Sequence, residues 1–429
     1  MLKLLQRLQI KDLTYVFVSI LGRVVNIAYM LVAIAKVGSH DFGIFSFVQV
    51  TGLTLATLFT LAMTTSLNVI LARDHDAKIG GQAASFSLCY VGVIALLLSP
   101  ILIMPANLIH GLPATWGVRI GLYVFTLSIL AQNIFQGWLF GFARTTYVAA
   151  VVLVTSLFAF AAILIAPRGD VYTLLTAYGS ALALSALLMG FSVYRSSGIA
   201  WPSPVQAGHF AKEFGQTLVA YGMKSILNTT IFQLALWQLQ AHIIASLGPV
   251  ESAHYALGMQ FYNVIVFIPV LIGPLLLNRL GKISGDPARA VRFTFLVTMA
   301  CVVLAAGEFG SILAAFPFVS HFMPKAYRDS APAIFWAIGA GTLLFVKTPM
   351  SVYFQSTLRA FPETVSVSLS AALLLSLSLF VSKIDASQAA EIRLESILVQ
   401  LLTVAVFFIL ASRRDVAKPA TPQAAGEPA

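Results

Sequence analysis

LTYVFVSILGRVVNIAYMLVAIA, residues 13–35, carries one formally charged side chain, Arg23, near its middle. A helix of about 20 apolar residues crosses a hydrocarbon core of about 30 Å, so this stretch is long enough to span a membrane. A cation at the centre of such a helix costs roughly 2.5–3.5 kcal/mol on insertion scales, so something has to compensate Arg23. Outward from this stretch the same apolar pattern recurs. The chain of 429 residues is 59% hydrophobic and 10% charged, with a mean hydropathy of +0.89; an ordinary soluble domain carries about a quarter charged residues. Runs at 14–35, 44–70, 83–105, 118–141, 146–166, 171–193, 216–246, 253–277, 293–316, 330–354, 364–382 and 394–411 predict twelve spans. The fold class that follows is an all-α polytopic membrane protein, since a β-barrel needs alternating segments of about ten residues.

The leading MLKLLQRLQIKDL has the charge of a signal-peptide start. The apolar run after it is too long and lacks a small-residue cleavage pattern, so it reads as an uncleaved first span. The net charge of +10 raises the question of a nucleic-acid partner, and its distribution answers it. With twelve spans, sixteen lysines and arginines fall on the side of the two termini and seven on the other, namely Lys36, Arg119, Arg168, Lys325, Arg328, Lys383 and Arg393. The positive-inside rule then puts both termini in the cytoplasm and accounts for most of the basic balance without a nucleic acid. The remaining cations, Arg23, Lys224 and Lys347, fall inside predicted spans, against one acid, Glu308.

A shift of 210 residues sets VGSHDFGIFSF (37–47) beside LGPVESAHYAL (247–257), pairing Gly38 with Gly248 and Asp41 with Glu251. It also sets Asn68 on Asn278, each before a basic loop. Six spans per half in the same orientation imply two parallel repeats related by an axis along the membrane normal. The expected domains are an N-terminal six-helix bundle (1–194), a linker rich in Pro, Ser and Gly (195–213), a second six-helix bundle (214–412) and a disordered tail (413–429). A cleft between two such bundles is the natural place for polar residues. In the first span Tyr15, Ser19, Arg23, Asn26 and Met30 recur at helical steps, and in the seventh Thr217, Tyr221, Lys224 and Asn228 do the same. Lys347, Ser351 and Gln355 continue the pattern in the tenth span, Thr57, Thr60, Thr64 and Asn68 in the second, and Gln132, Asn133 and Gln136 in the fourth.

Each intramembrane charge also has a plainer reading. Arg23 in a packed interface bonds backbone carbonyls, Lys224 near a helix end snorkels to the surface, and Glu308 reads as a counter-ion or an outer-interface residue before an ion-coupling group. Asp41 and Glu251 stand where helix starts favour an acid. Pro269, Pro274 and Pro349 remove backbone hydrogen bonds within spans and are expected to kink them. Cys89 and Cys301 lie in apolar runs and the seven histidines have no metal-ligand spacing, so neither a metal nor another cofactor is expected. No phosphate-binding GxxxxGK[ST], GxSxG or HExxH motif occurs. Transport is favoured over catalysis, and no enzyme activity is expected.

Several stretches resemble the polysaccharide and O-antigen flippases (Wzx type) of the multidrug/oligosaccharidyl-lipid/polysaccharide (MOP) exporter superfamily: VGSHDFGIFSFVQVTGL (37–53), TSLNVILAR (65–73), YALGMQFYNVIVFIPVLIGPLLLNRL (255–280) and MPKAYRDSAPAIFWAIGAGTLL (323–344). The resemblance implies a V-shaped, MATE-like pair of bundles in a bacterial inner membrane. By alternating access it would move an undecaprenyl-diphosphate-linked oligosaccharide to the outer leaflet for O-antigen, capsule or exopolysaccharide synthesis. It implies phosphate held by Arg23 and Lys224, with Lys347 as a third candidate. Asn26, Asn68, Gln136 and Asn228 are then hydrogen-bonding groups for sugar, and membrane lipids and polysaccharide polymerase or chain-length machinery are partners. Three rivals stand beside it. The lipid II flippases of the same superfamily also have a cationic cavity, but they usually have fourteen spans and a longer chain, which twelve spans fit less well. A MATE-type exporter of organic cations normally carries membrane carboxylates in its first half, where this chain has an arginine. A membrane glycosyltransferase or ligase acting on the same lipid-linked glycan normally carries a large outer catalytic loop.

Overall fold

A computed structural model describes residues 10–60, 63–73, 77–103, 115–166, 169–199, 201–283, 286–322, 325–357, 359 and 361–417. Among them every regular element is helical. In chain order these are α1 (Ile10–Lys36), α2 (Ser39–Thr60), α3 (Met63–Arg73), α4 (Ala77–Leu98), α5 (Pro100–Ile103), α6 (Trp116–Gly141), α7 (Thr145–Ile165) and α8 (Val171–Ser197). There follow α9 (Pro204–Leu247), α10 (Pro249–Ile283), α11 (Pro287–Phe322), a short 3₁₀ helix η1 (Lys325–Ser330), α12 (Ala331–Ser356), α13 (Phe361–Phe380) and α14 (Ala386–Ala417). Ten stretches among the described residues are long and apolar enough to cross a membrane, and they coincide with expected spans one to six and nine to twelve. The 44-residue α9 and 35-residue α10 occupy the places of spans seven and eight. The chain is a polytopic helical membrane protein.

Two corrections concern charge. Arg393, assigned by sequence to the loop before the last span, lies two turns inside α14 and is buried. Glu363, assigned outside the membrane, stands in the first turn of α13 and reaches inward. Glu308 is therefore not the sole acid within the helical bundle. Both residues sit near span ends, where hydropathy windows are least able to separate a helical turn from a loop.

By their contacts the residues form two compact units. Unit 1 comprises Met1–Ala256, Met323–Asp329 and Ser378–Ala386; unit 2 comprises Leu257–Phe322, Ser330–Leu377 and Ser387–Ala429. By contact α9 goes with the helices before the 195–213 linker, because it packs along α2, α3 and α4.

Unit 1 is built on small residues and capped ends. The α6 helix packs on α2, α3 and α8, while α1 lies against α7. At Gly137 the backbones of α6 and α3 approach so closely that a Cβ would stand 2.5 Å from the Thr64 carbonyl oxygen, the close approach that small residues permit between membrane helices. Lys36, at the end of α1, donates to the carbonyls of Ile163, Leu164 and Ala166 at 2.9, 2.7 and 3.0 Å. An ammonium there satisfies the last carbonyls of α7 and complements its dipole. Asp170 caps α8, its Oδ1 accepting from the Thr173 N–H at 2.9 Å and the Thr173 hydroxyl at 3.0 Å. Those bonds hold the carboxyl below the usual range, because they favour its charged form. The same helix stops at Gly198, whose φ of +66° is left-handed. Phe17, Leu21, Val24 and Leu31 form an exposed apolar stripe on α1, whereas Tyr29, Met30, Ala33 and Ile34 are buried.

In unit 2, Leu276 and Leu280 of α10, Ala290 of α11, Tyr353 and Phe354 of α12 and Val404 and Phe408 of α14 share one core. The α12 helix runs on through Pro349. Its end is tied to α14: Arg359 makes two bonds to Asp415, at 2.8 and 2.9 Å, and the Tyr353 hydroxyl donates to the same carboxylate at 2.5 Å. The carboxylate pushes the Arg359 guanidinium further above its ordinary range.

Candidate functional site

Within unit 1 the polar stripe of α1 has company. Arg23 and Asn26 are both half-buried, between the lipid-facing stripe and the buried one. One turn on from them, Tyr29 of the same helix reaches Tyr178 of α8. The Tyr178 ring stacks on Tyr29 at 5.4 Å and meets Phe45 and Phe125 at 5.9 and 5.6 Å, while its hydroxyl accepts from Gln49 Nε2 at 3.4 Å. The α1 stripe thus brings a cation and an amide, Arg23 and Asn26, and the cluster around Tyr29 on the same helix adds aromatic faces, a phenol and the Gln49 amide. Such groups suit an anion and the hydroxyls that accompany it.

The charge balance around this cluster is lopsided. Across residues 1–200 the acids are Asp12, Asp41, Asp74, Asp76 and Asp170; Asp12, Asp41 and Asp170 stand at helix starts, and Asp74 and Asp76 lie outside the described residues. The interiors of α1 to α8 therefore hold a cation and supply no carboxylate of their own against it.

Other predicted residues are placed as follows. Asn68 on α3 and Gln136 on α6 are half-buried in unit 1. Lys224 and Asn228 belong to α9, but their side chains lie outside the described residues. The Thr57 and Thr60 hydroxyls turn back to their own helix, to Leu53 O at 2.8 Å and Ala56 O at 2.6 Å, and Thr64 bonds Asn133 O of α6 at 2.8 Å. These threonines satisfy polar groups inside the bundle and need no ligand to explain them.

Lys347 is 4% exposed in unit 2. Its ammonium donates to Glu363 Oε1 and to Gln400 Oε1, both at 2.8 Å, and Gln400 Nε2 donates to the Ser370 hydroxyl at 3.0 Å. It thus closes a network among α12, α13 and α14 and has its charge neutralised there. Glu308 lies on the same α11 face as the packed Cys301 and Ala305, and its Oε2 is buried with no hydrogen-bond partner among the described residues. Arg393 lies over the Tyr262 ring at 4.3 Å from its centroid. Among the described residues no group of His, Cys, Asp and Glu is arranged to hold a metal.

Sequence reading missed one feature altogether, a polar seam between α2 and α9 in unit 1. Gln240 Nε2 donates to the Ser46 and Ser252 hydroxyls, both at 3.1 Å; Trp237 Nε1 donates to Thr51 Oγ1 at 3.1 Å; Gln233 Nε2 donates to Thr54 Oγ1 at 3.4 Å. The Thr51 and Thr54 hydroxyls pass their own protons to Phe47 O and Val50 O. Gln233, Trp237 and Gln240 fall at i, i+4 and i+7 of α9, a signal present in the sequence but on a different stripe from the one that attracted notice.

The fold is that of the MOP-superfamily transporters. The chain superposes on the lipid II flippase MurJ in an inward closed conformation with a TM-score of 0.71 at 11% identity, covering 95% of this chain and 91% of that one. It superposes on an inward-facing multidrug resistance MATE family transporter of the MOP superfamily with a TM-score of 0.67 at 10% identity, covering 95% and 98%. In sequence it is 23% identical over 312 residues, 69% of each chain, to the EPS I polysaccharide export inner membrane protein EpsE of Ralstonia solanacearum. No protein-family model matches the chain.

Proposed function

We propose that the protein is a flippase of the polysaccharide-export type. It carries an undecaprenyl-diphosphate-linked oligosaccharide from the cytoplasmic to the outer leaflet of the bacterial inner membrane, with both termini cytoplasmic. The observation that carries this reading is Arg23, a half-buried cation among helices whose interiors hold no acid. A diphosphate entering a low-dielectric layer gains most from a cation already placed there. Asn26 on the same helix face, and Tyr178 and Gln49 in the cluster around Tyr29, are suited to further hydrogen bonds. The likeness to EpsE supports export of a polysaccharide precursor, and the MurJ and MATE folds support alternating access. A MATE-type exporter of organic cations fits less well, because the arginine repels such a cargo. Lys347 is a weaker phosphate candidate than Arg23, since binding there requires opening its pair with Glu363. Polymerase and chain-length proteins would be the downstream partners.

The test is accumulation of lipid-linked oligosaccharide on the cytoplasmic leaflet after gene deletion, with complementation by wild type, Arg23→Lys and Arg23→Glu at matched membrane levels. Wild type is expected to clear the intermediate, Arg23→Lys to clear part of it, and Arg23→Glu none. Absence of any accumulating lipid-linked sugar overturns the cargo assignment; full clearance by Arg23→Glu overturns the role of the cation.

A further inference from the structure

We infer that His254 is a proton-binding site that fastens together three chain segments at the helix ends opposite the termini. It stands in the second turn of α10 and is 8% exposed. Its Nε2 is 3.0 Å from the Ala326 carbonyl of η1, and its Nδ1 is 3.6 Å from Glu251 Oε2. Both ring nitrogens thus face oxygen atoms that only accept. The imidazolium presents an N–H to each, whereas either neutral tautomer turns a lone pair towards one of them. The Glu251 carboxylate is shared: its Oε1 accepts from the backbone N–H of Ala386 at 2.7 Å, the first residue of α14.

The imidazolium therefore satisfies both contacts at once: its Nε2–H ties the start of α10 to η1 while its charge draws the Glu251 carboxylate that binds the start of α14, whereas the neutral ring loses one contact or sets a lone pair against the carboxylate. Tyr327 of η1 packs edge-on against the imidazole at 5.9 Å and against Phe42 of α2 at 6.3 Å, which extends the fastening to α2. At Gly43 a Cβ would overlap the Pro249 carbonyl, so α2 and the α10 start are already in close contact there. All of these residues lie within unit 1. Of the titratable groups on these elements, Glu251 and Tyr327 face the imidazole. Lys325, Arg328 and Asp329 of η1, Lys383 before α14 and Glu391 of α14 are exposed, Asp385 next to Ala386 is half-buried, and Asp41 of α2 pairs with His40 at 3.1 Å. The ligand is the proton itself, and by the charge bias of the loops it arrives from outside the membrane. The inference is independent of which cargo the protein carries.

The test uses full-length protein in phosphatidylethanolamine/phosphatidylglycerol nanodiscs. With Cys89→Ser and Cys301→Ser removing native thiols, nitroxides are placed at His40→Cys and Lys325→Cys, and their separation is measured by pulsed electron paramagnetic resonance. The expected result is a short-distance population that falls at least about threefold from about pH 5.5 to about pH 8.5, the window in which histidine changes charge. His254→Gln, neutral throughout, is expected to abolish the change, and Glu251→Gln to reduce it. A pH-independent distance in the parent pair, or the parent's pH response surviving in His254→Gln, overturns the inference. If His254→Gln does not fold, an unaltered response in Glu251→Gln overturns it equally.

Discussion

Replacing Lys347 by methionine separates a structural cation from a binding one. The ammonium and the Glu363 carboxylate are 2.8 Å apart, with side chains 5% and 21% exposed. At that distance and an effective dielectric of about 20 the gross attraction is about 6 kcal/mol, most of it offset by the desolvation both groups suffer. Methionine keeps the length of the side chain and removes the charge, so the loss is electrostatic. Glu363 then loses its cation, with its Oε2 already buried and unbonded among the described residues, and Gln400 Oε1 loses its donor. Stranding one member of a buried pair costs about 3–5 kcal/mol. Removing both charges with Lys347→Met and Glu363→Leu leaves similar volume and is expected to recover all but about 1 kcal/mol. Thermal unfolding of detergent-solubilised protein, with the two singles and the double in one cycle, reads this directly. Export of lipid-linked sugar is measured on the same strains, and the double is expected to retain it. If Lys347→Met is as stable as wild type while export is lost, and the double fails to restore export, then the ammonium is a cargo ligand and the structural reasoning is wrong.

Three further outcomes are expected. Gly137→Ala places a Cβ 2.5 Å from Thr64 O and 2.7 Å from Thr64 Cα, both backbone atoms, and is expected to lower stability by about 1–3 kcal/mol; Gly92→Ala, with nothing within 4 Å, is the neutral control in the same thermal assay. Asp170→Ala removes the α8 cap at a cost of about 1 kcal/mol. Because folding depresses this carboxyl's pKa, its contribution is present above the unfolded value of about 3.9 and fades as pH falls through the folded one, so denaturation curves of wild type and variant should converge at acid pH. Gln240→Leu deprives Ser46 and Ser252 of their common donor and is expected to cost about 1–3 kcal/mol, read as a lower unfolding temperature; an unchanged one means the seam contributes nothing to the folded state.

The helical class and the course of nearly every span were legible, because apolar runs of membrane length leave little choice of structure. The α1 stripe was legible too, since Arg23 and Asn26 share a helix face by spacing alone. What spacing conceals is the identity of the partner. Lys347 was visible as an intramembrane cation, but the carboxylate neutralising it comes from α13, 16 residues on and across a turn. Arg393 illustrates the reverse failure: a charge near a span end lowers local hydropathy, so the window expels from the membrane a residue that the fold buries over Tyr262. Gln240 escaped because its partners, Ser46 and Ser252, are 194 positions before and 12 after it, and only the packing of α9 on α2 brings them together.

The two units solve the same physical problem differently. A cation inside a membrane bundle is affordable when an acid is folded in beside it, which is what Lys347 and Glu363 show in unit 2. Nothing prevented the same solution in the first half, where α2, α4, α6, α7 and α8 all pass through the bundle and carry no acid beyond their ends. Arg23 therefore stands among helices whose interiors supply no acid of their own. On the flippase reading, the anion it serves is one that comes and goes. It follows that reversing a charge should have opposite signatures in the two halves. At Lys347 inversion should damage folding and, through it, export. At Arg23 inversion should leave unfolding temperature near that of wild type while stopping export; a loss of folding at Arg23→Glu as large as at Lys347→Glu would mean that both cations are structural.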